Sequence, residues 1–498
     1  MHEPGKSDEP IVPTKPPNEA GQLPAEEVVE GRGEAKGNSS PQNTPRTQSR
    51  DGVRSARERI RQAAKRSRNM RFTSLLHHIA NVEALREAYE QLQRDASAGV
   101  DGVTWRHYGQ DLPANLADLS SRLKRGAYRA KPVRRAYIPK ADGRQRPLGV
   151  PTVEDKLVQR ATATVLEAIY ETDFLGISYG FRPKRRAHDA LDALAVGLEK
   201  RKVNWLLDAD IRGYFDSINH GWLVRFLEHR IADKRVLRLI QKWLNAGVLE
   251  KGSYTYPDQG TPQGGSISPL LANIYLHYVF DLWVSQWRKT QARGDVIVVR
   301  YADDFVVGFE SKTEAEQFWT ALKERFQRFG LELHAEKTRL VEFGRYAARD
   351  REKRGQGKPE TFDFLGFTHI CGTTKKGWFR VVRRTIAKRL RAKLQELKAN
   401  LARRRHLHVE KTGMWLGAVL KGYFGYHAVP LNTQPLDGFR TEVIRLWKRS
   451  LERRSDKGAI RWDHMAVLAR RFLPRVRVRH RYPNQRLRVT TQGWSRVR

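Results

Sequence analysis

Val296-Ile297-Val298-Val299-Arg300-Tyr301 and Phe305-Val306-Val307-Gly308-Phe309 are two apolar β-type runs with only Ala302, Asp303 and Asp304 between them. The pattern predicts strands over 296–301 and 305–309, joined as a hairpin with carboxylates at its tip. Adjacent aspartates repel, so keeping both ionised near a largely buried hairpin is costly unless divalent cations neutralise them. Asp is also a favoured turn residue, and a solvated turn accounts for the pair when it is taken alone.

A further strand is predicted at Trp205-Leu206-Leu207-Asp208-Ala209-Asp210, running into Ile211-Arg212-Gly213-Tyr214-Phe215. Its carboxylates give the hairpin a partner. Two hard cations held about 4 Å apart by oxygen ligands from separate strands can activate a hydroxyl and stabilise a leaving pyrophosphate. Asp208 and Asp210 share a strand face and Asp216 follows closely, so spacing alone leaves open which of them is the ligand. Arg135 to Ile138 is another strand candidate, and helices separate these strands without regular alternation. That favours an α+β layer over a doubly wound parallel sheet. Upstream, a basic helix-compatible segment from Val53 is followed by apolar spacing at Leu75, Leu76, Ile79, Val82 and Leu85. Ala98 to Gly102 reads as a turn before an amphipathic helix with Leu116, Leu119 and Leu123.

The 498 residues carry 93 Lys and Arg against 55 Asp and Glu, a formal charge of +38, which points to a polyanionic partner, nucleic acid first. An anionic membrane or an acidic protein would match the charge but not the paired aspartates. Cys371 is the only cysteine, which excludes an intramolecular disulfide and a multi-cysteine zinc site and suits a reducing interior. Residues 1–51 are rich in Pro, Gly, Ser, Glu and Asn, have no signal-peptide core, and read as a disordered tail. No apolar run approaches the roughly 20 residues that span a bilayer, so a cytosolic protein without a membrane partner is expected.

Tyr301-Ala302-Asp303-Asp304 and Asp210 to Phe215 resemble the two palm motifs of reverse transcriptases. Further motifs follow the order seen in group II intron reverse transcriptases of bacterial type: Tyr137-Ile138-Pro139-Lys140, Arg146-Pro147-Leu148-Gly149-Val150-Pro151, Ser178-Tyr179-Gly180-Phe181-Arg182-Pro183, Gly260 to Pro269, Glu336-Lys337-Thr338 and Phe364-Leu365-Gly366-Phe367. The likeness covers residues 71 to 370. It implies a right-hand polymerase fold of fingers and palm followed by a helical thumb or maturase domain. It makes Asp210, Asp303 and Asp304 the catalytic ligands of two Mg2+ ions, adds the carbonyl of Ile211, and removes Asp208 from the set. Phe215 would lie beneath the sugar of the incoming dNTP and exclude a 2′-hydroxyl, although an ordinary core aromatic is the alternative. Lys140 and Arg146 would clamp the triphosphate, Gln263 would contact sugar and base, and Lys337 would lie near the active site or simply pair with a neighbouring acid.

Residues 380 to 405 hold eleven Lys or Arg and one acid, Glu396. A domain boundary is placed at 380, giving a tail over 1–51, fingers and palm over 52–380, a helical thumb or maturase domain over 381–470, and a basic tail over 471–498. Leu390, Leu394, Leu397 and Leu401 have the spacing of a packed face, leaving Lys388, Arg391, Lys393, Lys398 and Arg403 for phosphates. The basic tail is read as a contact to target DNA or as a solvated tail. The aromatics of Lys421 to Tyr426 and of the segment from Trp447 to Trp462 are expected mainly in the core. A cysteine-supported HNH nuclease is not expected, and His406, His408, His427 and His464 lack ligand spacing.

The resemblance implies an RNA-directed DNA polymerase that binds group II intron RNA, assists its splicing and copies an RNA template from a DNA primer, in the bacterial cytosol or nucleoid. Two other readings are an RNA-binding splicing factor without polymerase activity and a domesticated reverse transcriptase serving phage defence. The intact aspartates oppose the first and the maturase-like thumb opposes the second. Nothing in the sequence speaks to oligomeric state.

Overall fold

The computed structural model describes residues 45–139, 145–250, 252–255, 259–261, 264–454 and 459–490. These form a mixed α+β protein with three small sheets and many helices, as the irregular mixture of strand and helix patterns predicts. The described strands are β1 (Val133–Pro139), β2 (Gln145–Val150), β3 (Trp205–Asp210), β4 (Val248–Glu250), β5 (Ser253–Thr255), β6 (Val296–Tyr301), β7 (Asp304–Phe309), β8 (Arg339–Glu342), β9 (Phe362–Phe364), β10 (Phe367–Thr373) and β11 (Phe379–Thr385). No helix among the described residues is long and apolar enough to cross a membrane.

The chain divides into two compact units. The first takes the chain up to Leu175 together with Arg212–Thr290 and Arg325–Glu332. Its sheet has the order β2-β1-β4-β5. The helix Val153–Tyr170 starts where the Thr152 hydroxyl accepts the Asp155 N–H, and its apolar positions are buried on several sides. Inside it, Asp155 accepts from Thr152 Oγ1 at 2.7 Å and from the Tyr128 hydroxyl, which accepts in turn from Trp243 Nε1 at 2.8 Å. Every member of this buried chain thus has a partner, as burial of polar groups requires. The first helix, Pro45–Arg66, opens inside the tail expected to end at 51. A proline as first residue loses no intrahelical hydrogen bond, and Arg50 and Arg57 pair with Glu90 and Glu87 at 2.5 and 2.6 Å.

The second unit takes Gly176–Ile211, Gln291–Glu324 and Leu333–Arg498. Its four-stranded sheet has the order β6-β7-β3-β8, every pair antiparallel. Leu191, Leu194, Ala195 and Leu198 of the helix Ala187–Lys200 pack on Leu206, Ile297, Val299, Val306 and Val341, which covers one face of the sheet. A second core joins the helices Ala387–Arg403, Val409–His427, Thr433–Glu452 and Trp462–Phe472 around Leu397, Leu401, Leu416, Phe439 and Trp447. Leu390 and Leu394 pack against it partly buried, as their spacing predicts. Of the cations opposite them, Lys388, Arg391, Lys398 and Arg403 are exposed, whereas Lys393 pairs with Glu396 at 2.6 Å.

Two expected boundaries move. The boundary placed at 380 falls inside β11, whose buried Arg383 pairs with buried Asp192 at 2.8 Å, and the helical segment starts at Ala387. Arg-rich alternation reads from sequence as a basic helix, but here alternate residues meet an acid and apolar neighbours. The basic tail expected from 471 is also anchored through 490. Arg486 pairs with Asp189 and lies 3.1 Å from Asp192, and Asn484 Nδ2 donates to Glu199 at 2.9 Å, so residues 483–490 form a helix against Ala187–Lys200.

Candidate active site

The hairpin of β6 and β7 pairs Val296 with Phe309 at its base and Tyr301 with Asp304 at its tip. Ala302 and Asp303 make the two-residue loop, with Ala302 at φ +58°. Right-handed strand twist calls for positive φ in such loops, which glycine supplies freely and alanine only at a cost of about 1 kcal/mol. Strain of this kind persists where its surroundings over-determine it. The carbonyl of Ala302 accepts from the buried Arg300 guanidinium at 3.0 Å. Tyr179 N donates to Arg300 O and Arg300 N to Ile177 O, both at 2.9 Å, which lays the Ser178-Tyr179-Gly180 segment along β6. A Cβ on Gly180 would stand 2.4 Å from Ala302 N, so only glycine fits at this approach.

The sheet register brings the acids together. Asp210 at the end of β3 pairs directly with Asp304 at the start of β7. Asp208, two residues back on the same face, is matched with Arg339 of β8, 3.6 Å away. Burial pushes the Asp208 carboxyl up to about 6 while Arg339 pulls it down. Asp304 is pushed up to about 7, first by the protein packed around it and then by the charges of Asp210, Asp303 and Asp208, with Lys337 opposing. Its residue surface is nevertheless exposed. Water therefore screens part of the burial effect, and the repulsion among neighbouring carboxylates is the sounder cause.

Lys337 forms an ion pair with Asp210. The backbone puts it there: His334 N donates to Asp210 O at 2.8 Å, Ile211 bridges Leu333, and Lys337 N and Thr338 N both donate to His334 O. Lys337 thus pairs with a neighbouring acid, and that acid is Asp210. Among the described residues no set of three or more His, Cys, Asp or Glu side chains is gathered closely enough to hold a metal ion. The donor chemistry nonetheless fits a hard divalent cation, because Asp210 and Asp304 present carboxylate oxygens from paired strands and, at Asp304, the charge of Asp210 outweighs that of Lys337.

Of the remaining predicted residues, Ile211 lies in the second unit, Phe215 and Arg146 lie in the first, and the others fall outside the described residues. Phe215, half-buried, sits in the short helix Tyr214–Ser217, and its carbonyl accepts from Thr261 N at 2.7 Å. Gly260, at φ +93°, lies so close that a Cβ would come within 3.0 Å of the Phe215 and Asp216 backbone. Gly264 approaches Gly149 O in the same way, which joins the Gly260 to Pro269 motif to the Arg146 to Pro151 motif. Arg146 is exposed on β2. Lys140 and Gln263 lie outside the described residues. Ile211 is buried in the second unit beside Leu333.

Sequence reasoning missed Arg300. A charged residue in the middle of Val296 to Tyr301 is the available signal, since a strand buried on both sides has no place for a cation without a fixed acceptor. Gly180 was legible as part of a motif, but its contact was not.

A profile of the family described as "Reverse transcriptase (RNA-dependent DNA polymerase)" matches residues 138–369. Protein YkfC of Escherichia coli K12 is 36% identical over 281 residues, covering 50% of this chain and 74% of that protein. The group II intron-encoded protein LtrA of Lactococcus lactis is 38% identical over 221 residues, 44% of this chain and 37% of LtrA. The chain belongs to the reverse transcriptases of the group II intron-encoded protein family. Nuclear intron maturase 4 of Arabidopsis thaliana is a more distant relative, 24% identical over 266 residues, 52% of this chain and 30% of that protein. This reverse transcriptase carries the RNA-dependent DNA polymerase domain from within β1 to within β10, so the domain match includes the acids, Lys337 and Phe215 and ends ahead of the C-terminal helices. The chain spans little more than a third of LtrA, although it covers about three quarters of YkfC.

Proposed function

We propose that this reverse transcriptase binds the RNA of a group II intron, assists its splicing, and copies it into DNA from a DNA primer. The observation that carries the polymerase reading is the register that pairs Asp210 with Asp304 and leaves a surplus of negative charge at the ends of two strands. A pure RNA-binding protein has no use for such repulsion, whereas an ion-dependent polymerase requires it.

In this reading Asp210, Asp303, Asp304 and the Ile211 carbonyl hold two Mg2+ ions, which when bound would activate the primer 3′-hydroxyl and stabilise the departing pyrophosphate. Lys337 offsets part of the charge on Asp210 and keeps its carboxylate oriented. Arg300 and Gly180 position the tip, since the first holds the Ala302 carbonyl and the second leaves room for the Ala302 backbone. Phe215 lies beneath the dNTP sugar and rejects a 2′-hydroxyl, Lys140 and Arg146 grip the triphosphate, and Gln263 contacts sugar and base. The antiparallel sheet of β6, β7, β3 and β8 serves as the palm and the helices from Ala387 as the thumb. Their exposed Lys388, Arg391, Lys398 and Arg403 meet phosphates of the intron RNA or of the template and primer. Target DNA would meet the remaining arginines of the C-terminal segment.

Primer extension on an RNA template with magnesium tests the proposal. Wild-type protein is expected to extend the primer and Asp303→Ala to give no product. An inactive wild type would end the polymerase reading.

A further inference from the structure

β10 and β11 form a second hairpin in the same unit as the palm sheet, and its tip is Thr374-Lys375-Lys376-Gly377-Trp378. Trp378 is 72% exposed. The turn beneath it is closed by its own hydrogen bonds: Thr374 N donates to Trp378 O at 2.8 Å, Gly377 N to Thr374 O at 2.9 Å, and Trp378 N to Thr374 Oγ1 at 3.1 Å. Gly377, at φ +79°, supplies the left-handed residue that closes it. Trp378 therefore stands in water beside the exposed Lys375 and Lys376, so that an aromatic face and two cations share one tip.

Trp378 also lines a cavity of about 800 Å³ whose walls include Lys200, Arg345, Arg380 and Tyr482. The Arg380 guanidinium stacks over the Tyr482 ring at 5.4 Å. Lys375 and Lys376 are exposed beside Trp378 on the tip. Glu199 is the one acid on the cavity wall, and both of its carboxylate oxygens are engaged, by Val381 N and by Asn484 Nδ2. An exposed aromatic face beside several cations, with the one acid among the described wall residues already engaged, matches the stacking platform and positive groove by which proteins hold unpaired nucleic acid. The tip lies about 26 Å along β10 from the Leu365-Gly366 turn, given the rise of an extended strand.

We propose that the β10–β11 tip is a docking site for single-stranded RNA, in which an unpaired base stacks on Trp378 and its flanking phosphates meet Lys375, Lys376, Lys200 and Arg345. The site rests on the reading of this protein as one that binds RNA, and it adds a place of contact apart from the polymerase acids.

The test uses the full chain and a fluorescein-labelled, unstructured 12-nucleotide RNA, with the same sequence as DNA and as an RNA duplex. Trp378→Ala is expected to weaken binding of the single-stranded RNA about tenfold, Trp378→Phe to restore most of it, and the duplex to be little affected. Thermal melts of both variants should match wild type, because the side chain is in water. In parallel, a 4-thiouridine-containing RNA is expected to crosslink to the tryptic fragment Gly377-Trp378-Phe379-Arg380. Unchanged affinity in Trp378→Ala, or loss of affinity for the DNA alone, overturns the site while leaving the polymerase reading intact if wild type extends primers. Wild-type protein that binds no RNA overturns both.

Discussion

Two of the hairpins in the second unit, β6–β7 and β10–β11, have tips that differ in charge, burial and support. The β6–β7 tip carries two acids and is held from outside itself: Ala302 is buried, its carbonyl is taken by Arg300, and Gly180 leaves no spare space beside its nitrogen. The β10–β11 tip carries Lys375, Lys376 and an exposed Trp378, and its turn is closed by hydrogen bonds within the tip. A site that must place carboxylates around ions tolerates little displacement, so its turn is fastened to the sheet and to a neighbouring segment. A site that grips a flexible strand needs one rigid platform and mobile cations, so a self-contained turn suffices. On the proposed reading the same supersecondary element would serve two purposes, depending on what supports it.

The largest expected effect comes from removing a carboxylate at the fastened tip. Asp304→Asn is expected to lower the rate of primer extension by about three orders of magnitude. It should have an opposite effect on the fold. The Asp304 carboxyl goes from an ordinary 3.8 to about 7 on folding, so the native state holds the proton more tightly. Its contribution to stability is full below pH 4 and is lost as pH rises through 7. Without divalent cations, urea midpoints of wild type should therefore fall between pH 5 and pH 8 relative to Asp304→Asn, and Mg2+ should narrow the gap at pH 8. A gap that does not change with pH would mean that Asp304 is not crowded by its neighbours.

Next in size is a change that leaves every acid in place. In Gly180→Ala the new methyl group would meet Ala302 N at 2.4 Å, so the turn or the Ser178 segment must shift. A displacement of this order near reacting groups costs about 10²-fold in rate. We expect kcat to fall by that factor with little change in the KM for dNTP, since Gly180 supports the tip and is not part of the proposed nucleotide clamp. Equal losses in kcat and in melting temperature would instead mark Gly180 as a packing residue only.

The acidic tip was largely legible in the sequence and the basic one was not. β3 and β6 have the bounds read from their apolar runs, and β7 begins one residue early, because strands buried on both faces need continuous hydrophobic sequence. The choice among Asp208, Asp210 and Asp216 was not readable from spacing. It depends on which strand lies on each side of β3, and the register with β8 gives Asp208 an arginine while the register with β7 gives Asp210 an aspartate. β11 was hidden by its arginines. In Phe379-Arg380-Val381-Val382-Arg383-Arg384-Thr385 the charged residues break the alternation, and only the folded chain reveals that Arg383 points to Asp192 and away from solvent. With that strand taken for the start of a basic helix, the hairpin tip ahead of it could not be recognised.

The smallest effect expected of the two tips concerns charge alone. Replacing both Lys375 and Lys376 by alanine removes no buried contact, so stability should stay within about 0.5 kcal/mol of wild type. If each lysine meets one phosphate of single-stranded RNA, the slope of log K against log salt should become shallower by about 1.4, since each contact contributes about 0.7. The stacking contribution of Trp378 should persist at high salt, where the lysines no longer matter. An unchanged slope would mean that the tip's cations are solvated only, and it would leave Trp378 alone to carry the contact proposed there.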